Sequence, residues 1–112
     1  MEFYDLSVHR GETFQQSLVF RDKDRELIDL TGYSGYAQVR PEPESDELTA
    51  SLLVSITGAD GLAVLALSKE ITETIEPGIY YYDFAMKDTS GRMRYYLGGK
   101  FTVLPTVTKT GA

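Results

Sequence analysis

Apolar and polar residues alternate with a period of two through most of the chain, the pattern of strands that bury one face. The clearest instance follows the turn pair Pro77-Gly78, where proline pre-sets its own φ and glycine accepts a positive one. Beyond it Tyr80, Tyr82, Phe84 and Met86 share one face, and Ile79, Tyr81, Asp83 and Lys87 share the other. The aromatic-rich first set predicts the buried side.

Other strands follow the same logic. Tyr4, Leu6 and Val8 alternate with Asp5, Ser7 and His9, then Arg10-Gly11 ends the run. Residues 13–21 carry Phe14, Leu18 and Phe20 in phase, with Gln16 sharing that phase either at an exposed end or hydrogen-bonded. Asp22-Lys23-Asp24-Arg25 reads as a charged turn, residues 26–30 as a short strand, and residues 36–40 as a strand with Ala37 and Val39 inward. Leu48, Ala50, Leu52, Val54 and Ile56 keep one phase and predict a single strand. Residues 62–67 are apolar at every position, which predicts a strand covered on both faces. Ser68 is placed to cap a helical turn over residues 69–75, with Ile71 and Ile75 four apart on one face. In the last strand, residues 93–104, Met93, Tyr95, Leu97, Phe101 and Val103 predict the inner face. Gly98 and Gly99 within it mark a bend or a close backbone approach.

Seven to eight short antiparallel strands, turns roughly every 8–12 residues and one short helical turn predict an all-β sandwich. No linker divides the chain, so residues 1–105 are expected to form one domain, with residues 106–112 a short polar tail. The order acidic residue, x, Gly, x, Tyr in Glu76 to Tyr80 resembles the entry to the F strand of immunoglobulin-like domains. That resemblance implies a corner built from Pro77, Gly78 and Tyr80, with the Tyr80 hydroxyl bonded to backbone within residues 73–77. Tyr82 would stand where such domains carry a core cysteine.

Composition removes several kinds of function. The 112 residues hold no cysteine and one histidine, His9, so a disulfide framework, a cysteine nucleophile and a His-rich metal site are all excluded. A formal charge of −6 speaks against binding nucleic acid or an anionic membrane nonspecifically. No apolar run approaches the roughly 20 residues of a membrane helix. The opening Met-Glu-Phe-Tyr-Asp is acidic and lacks an apolar core, unlike a secretory signal, so the expected site of synthesis is the cytoplasm without export. The acidic stretch over residues 41–47 lacks the glycine that a calcium loop requires and reads as solvated loop.

A second resemblance spans about residues 5–105. The pieces Arg10-Gly11-Glu12-Thr13-Phe14, Leu30-Thr31-Gly32-Tyr33 and Ala37-Gln38-Val39-Arg40 come first. Leu65-Ala66-Leu67-Ser68-Lys69-Glu70-Ile71-Thr72, Pro77-Gly78-Ile79-Tyr80-Tyr81-Tyr82-Asp83, Gly91-Arg92 and Gly99-Lys100-Phe101-Thr102-Val103 follow. In this order they resemble small tail and baseplate proteins of phages, including the N-terminal immunoglobulin-like domain of upper baseplate proteins in long-tailed phages. Those proteins are much longer, and their helical and docking regions have no counterpart here. The resemblance implies a virion or prophage structural protein, made in the host bacterial cytoplasm, with other tail or baseplate proteins or its own copies as partners.

No catalytic constellation stands out: His9 has no nucleophile beside it, and Leu97-Gly98-Gly99-Lys100 lacks the hydroxyl residue and helix of a phosphate-binding loop. The expectation is a non-enzymatic protein without cofactor or metal. On the outer face of the last hairpin the alternation groups Tyr81, Asp83, Arg94, Tyr96 and Lys100, a mix that anchors protein interfaces. Asp83 is expected to pair with Arg94 or Lys100 across the strands. The alternative is a carbohydrate-binding or adhesion module stacking Tyr81, Tyr96 and Tyr33 on sugar rings, although the chain has no Asn and no Trp.

Overall fold

The long hairpin Gly78–Lys87 and Met93–Leu104 is the spine of the molecule, whose computed structural model describes residues 1–108. Residues 109–112, the end of the expected tail, lie outside the described residues. In chain order the strands are β1 (Glu2–Phe3), β2 (Leu6–His9), β3 (Phe14–Val19), β4 (Ser34–Arg40), β5 (Ala50–Ser51), β6 (Leu53–Thr57), β7 (Leu62–Leu67), β8 (Gly78–Lys87) and β9 (Met93–Leu104). A 3₁₀ turn, Gly58–Asp60, and a short helix, α1 (Lys69–Thr72), complete the elements.

The strands form two layers. One sheet runs β1-β9-β8-β4-β5, with β2 continuing β1 along β9, and the other runs β3-β7-β6. This is an immunoglobulin-like β-sandwich, as the turn spacing and the corner motif predict. Two strands depart from an all-antiparallel plan: β1 and β2 both lie parallel to β9. Inward residues of both sheets close the core, with Phe84, Phe101, Val39, Leu65 and Ala63 fully buried. Phe14 meets Phe101 edge to face at 5.2 Å.

Several expectations change in physical detail. Residues 48–56 keep one hydrophobic phase yet form two strands in different sheets. Ala50 pairs with Val39 of β4, and Leu53 onward pairs with β7. Buried Leu52 makes the crossing, and Leu48 is left exposed. Residues 26–30 form no strand beyond a single bridge, Leu27 with Arg21, because Asp22 ties the turn through its carboxylate to the amides of Asp24 and Glu26. Gln16 is half-buried and bonds the Ser17 carbonyl.

The helical turn turns a different residue inward than its spacing suggested. Thr72 is buried and Ile71 exposed, while Ile75 packs in the core. The Thr72 hydroxyl donates to the Glu12 carbonyl and accepts the Gly11 amide, so it fastens the first turn of the chain. Ser68 makes no side-chain cap. Nor is β7 covered on both faces within one chain: Ala63, Leu65 and Leu67 are buried, but Leu62, Val64 and Ala66 are only half-buried.

The hydroxyl bond of the expected corner forms, but Gly78 does not take a positive φ and instead opens β8 opposite Val103. The Tyr80 hydroxyl donates to the Glu76 carbonyl at 2.6 Å, inside the segment that the motif names. Its ring is half-buried, and loss of hydration pushes the phenol pKa up, with nearby Glu76 adding to the shift. Tyr82 packs against Phe101 and donates its hydroxyl to the Tyr4 carbonyl. Burial pushes its phenol to about 12, so the proton stays in place for that bond.

Candidate functional site

A β-bulge decides which side chains meet on the outer face of the larger sheet. Phe84 stands opposite Leu97, but the next residue, Ala85, stands opposite Tyr95, so Tyr96 is the extra residue. Before the bulge the phase of β9 is reversed. Leu97, Phe101 and Val103 keep the predicted inner face, whereas Met93 and Tyr95 turn outward and are 44% and 56% exposed. Tyr96 instead packs on the core, edge to face with Phe20 at 5.4 Å and 6.4 Å from Phe84. Arg94 pairs with buried Met86 and so shares the inward phase, at an exposed end of the sheet.

The predicted five-residue surface is therefore split. Tyr81, Asp83 and Lys100 stay together on the outer face, while Arg94 and Tyr96 leave it and Tyr95 joins it. Nothing in the alternation marks the extra residue, because Tyr95 and Tyr96 are the same residue type. The sugar-stacking trio is split by the same bulge. Tyr33 and Tyr96 pack against the core, so neither shares the face of Tyr81.

Register arranges the outer face in rows across β4, β8 and β9. Arg40, Tyr81 and Lys100 form one row, Gln38, Asp83 and Gly98 the next, and Tyr36, Ala85 and Tyr95 a third. Phe3 of β1 reaches the second row from beyond β9. The first two rows, with Phe3 and with Tyr95 of the third, line a groove of about 620 Å³.

Two glycines shape it. Gly98 opposes Asp83, and a Cβ there would meet Met1 Sδ and Cε at 3.2 Å, so Met1 lies over the gap. At Gly99 (φ +154°) a Cβ would stand 2.8 Å from Asp5 Oδ1 and 2.9 Å from the Tyr4 carbonyl oxygen. That is the close backbone approach expected of the glycine pair. Through it the amino-terminal segment seats on β9, held by Tyr4 N–H to the Gly98 carbonyl (2.9 Å) and Lys100 N–H to Asp5 Oδ1 (2.9 Å).

Asp83 forms neither expected ion pair, since its cross-strand neighbours are Gln38 and Gly98. Lost hydration in the groove floor pushes its carboxyl pKa up, although the residue as a whole stays exposed, and the Arg40 guanidinium opposes the shift. Arg40 donates to Gln38 Oε1 (2.8 Å) and the Ser45 carbonyl (3.0 Å), which ties the acidic loop to the groove rim. The ion pairs among the described residues, His9–Glu12, Arg10–Glu76 and Lys69–Glu73, all lie elsewhere. Among the described residues no three His, Cys, Asp or Glu side chains converge on a point that could hold a metal. No helix among them is long and apolar enough to cross a membrane.

No family model and no curated protein sequence matches the chain. The likeness is one of fold. Among solved structures, 211 chains are similar, a breadth that carries no particular activity. One is CopC from Methylosinus trichosporium OB3b, at a TM-score of 0.51 and 12% identity, over 95% of this chain and 89% of that one. At that identity the similarity establishes a β-sandwich and nothing finer.

Proposed function

We propose that this protein is a non-enzymatic assembly module of a bacteriophage or prophage tail or baseplate, acting through protein–protein contacts. The observation that carries the assembly role is the outer face of the larger sheet. Phe3, Tyr36, Met93 and Tyr95 are each more than 40% exposed there, beside Tyr81 and the cations Arg40 and Lys100, which have no ion pair among the described residues. Monomeric proteins seldom leave so many large side chains grouped in solvent, and tyrosine with arginine is the mix that dominates interface energies. The place in a tail or baseplate rests on the ordered sequence resemblance over residues 5–105.

The test is whether the protein travels with particles. Cells carrying the gene are induced, and the particles are purified on a gradient and probed with an antibody to this chain. Comigration with tails in a fixed ratio to other tail proteins is expected. Recovery only in the soluble lysate would overturn the reading.

A further inference from the structure

We infer that the groove on the outer face of the larger sheet docks an acidic, aromatic-bearing polypeptide segment of a partner protein, its carboxylate received by the row Arg40–Tyr81–Lys100. The inference rests on the assembly reading above and names the chemistry of the partner. Its argument is charge complementarity. The chain has 17 acidic residues against 11 basic ones, so carboxylates are plentiful enough to partner most cations. Yet Arg40 and Lys100 have no carboxylate side chain within ion-pair distance among the described residues, and they flank the same tyrosine. Their backbones stand two strand spacings apart, about 10 Å, a span that the long Lys100 side chain reduces toward the Arg40 guanidinium, which Gln38 and the Ser45 carbonyl hold at the rim. Lys100 makes no side-chain hydrogen bond among the described residues, so its ammonium is available.

The next row sets a direction. Asp83 lies two residues along β8, about 7 Å from Tyr81, and would repel a second carboxylate there. The rings that line the groove at that end are Phe3, 79% exposed, and Tyr95, with Met1 lying over Gly98. That end takes a ring, which meets Phe3 or Tyr95 edge to face. A segment carrying Glu or Asp close to Tyr or Phe matches both rows.

The probe is a random copolymer of glutamate and tyrosine, titrated into the full-length protein by calorimetry at low and physiological salt. A lysine–tyrosine copolymer, polyglucuronate and cellohexaose serve as comparisons. Binding by the glutamate–tyrosine copolymer is expected, weakening with salt, and Lys100→Glu should weaken it about tenfold or more while melting as the wild type does. Arg40→Gln should act in the same direction. Equal binding of both copolymers, or no change in Lys100→Glu, overturns the inference. So does polyglucuronate binding as tightly as the copolymer with the same loss in Lys100→Glu, which would assign the groove to glycans. Particle incorporation separates the two readings. A chain that enters particles but ignores the copolymer refutes the acidic partner alone, and one that binds the copolymer but stays out of particles refutes the assembly role alone.

Discussion

The sandwich has two outer faces, and they are chemically unlike. On the larger sheet, rows of Arg40–Tyr81–Lys100, Gln38–Asp83–Gly98 and Tyr36–Ala85–Tyr95 mix rings and charges over a groove. On the smaller sheet the rows are Val19–Leu62–Thr57, Ser17–Val64–Ser55 and Gln15–Ala66–Leu53, without one charged side chain. Both faces expose apolar area, Val19 and Leu53 at 54% and 68% on the second. What differs is the capacity to specify. Aliphatic and hydroxyl residues on a flat sheet offer burial with little orientation. Rings beside unpaired charges set register and exclude wrong partners. A face that recognises something is expected to look like the first.

The largest expected effect breaks the comparison outright. Tyr81→Ala combined with Tyr95→Ala should cost roughly 3–5 kcal/mol of binding to the native partner or oligomer, since buried tyrosines are common hot spots. Both residues face outward, so the variant should keep its circular dichroism spectrum and melt within a few degrees of the wild type. Leu53→Ser on the other sheet should leave sedimentation and incorporation unchanged. The reverse outcome would transfer the contact role to the smaller sheet.

Gly99→Val comes next. Its side chain would collide with Tyr4 and Asp5 where the amino-terminal segment crosses β9, at a stability cost of roughly 3 kcal/mol by denaturant titration. Because Met1 and Phe3 line the groove, contact by that face should fail as well. Tyr80→Phe should cost less, about 1 kcal/mol. The Glu76 carbonyl that loses its partner lies on an exposed residue, where water can replace the hydroxyl. It touches neither face, so binding should be unaffected.

These residues also mark how far the chain could be read in advance. The corner was legible because it is local: a Pro-Gly turn, then a strand whose large residues share one phase. Tyr80 and Glu76 are four residues apart, and their bond needs no distant partner. The phases of β4 and β8 were equally plain, and they place Tyr81 and Asp83 on the outer face. What escaped was set by pairing between distant segments. The bulge at Tyr96 exists only in the register of β9 against β8, and the break after Ser51 only in the choice of β4 or β7 as neighbour. Parallel pairing of β1 and β2 with β9 joins residues more than ninety positions apart, as in Leu6 with Phe101, beyond the reach of periodicity. Thr72 looked like an ordinary helix residue because its two partners lie about sixty residues upstream.

The smallest expected effect is a pH dependence. The Asp83 carboxyl has its pKa raised in the fold by lost hydration, so the folded chain holds that proton to higher pH than the unfolded one. Stability from this group then falls as pH rises from the ordinary aspartate value through the folded one. Asp83→Asn should therefore raise the melting temperature slightly at neutral pH and leave it unchanged below the ordinary aspartate range. Glu12, Asp29 and Asp88 act oppositely. Hydrogen bonds lower their pKa values, chiefly from the His9 amide, the Thr31 hydroxyl and the Ser90 hydroxyl, and their contribution is lost as pH falls. The difference between the wild type and Asp83→Asn isolates the groove carboxylate from that background.

The most direct test of the central claim is hydroxyl-radical footprinting of the chain, free and in its native assembly, with oxidation read residue by residue. Tyr36, Tyr81, Tyr95 and Phe3 should lose reactivity on assembly, while Leu53, Val19 and Leu62 keep theirs. Protection of Leu53, Val19 and Leu62 with the tyrosines still fully reactive would contradict the account.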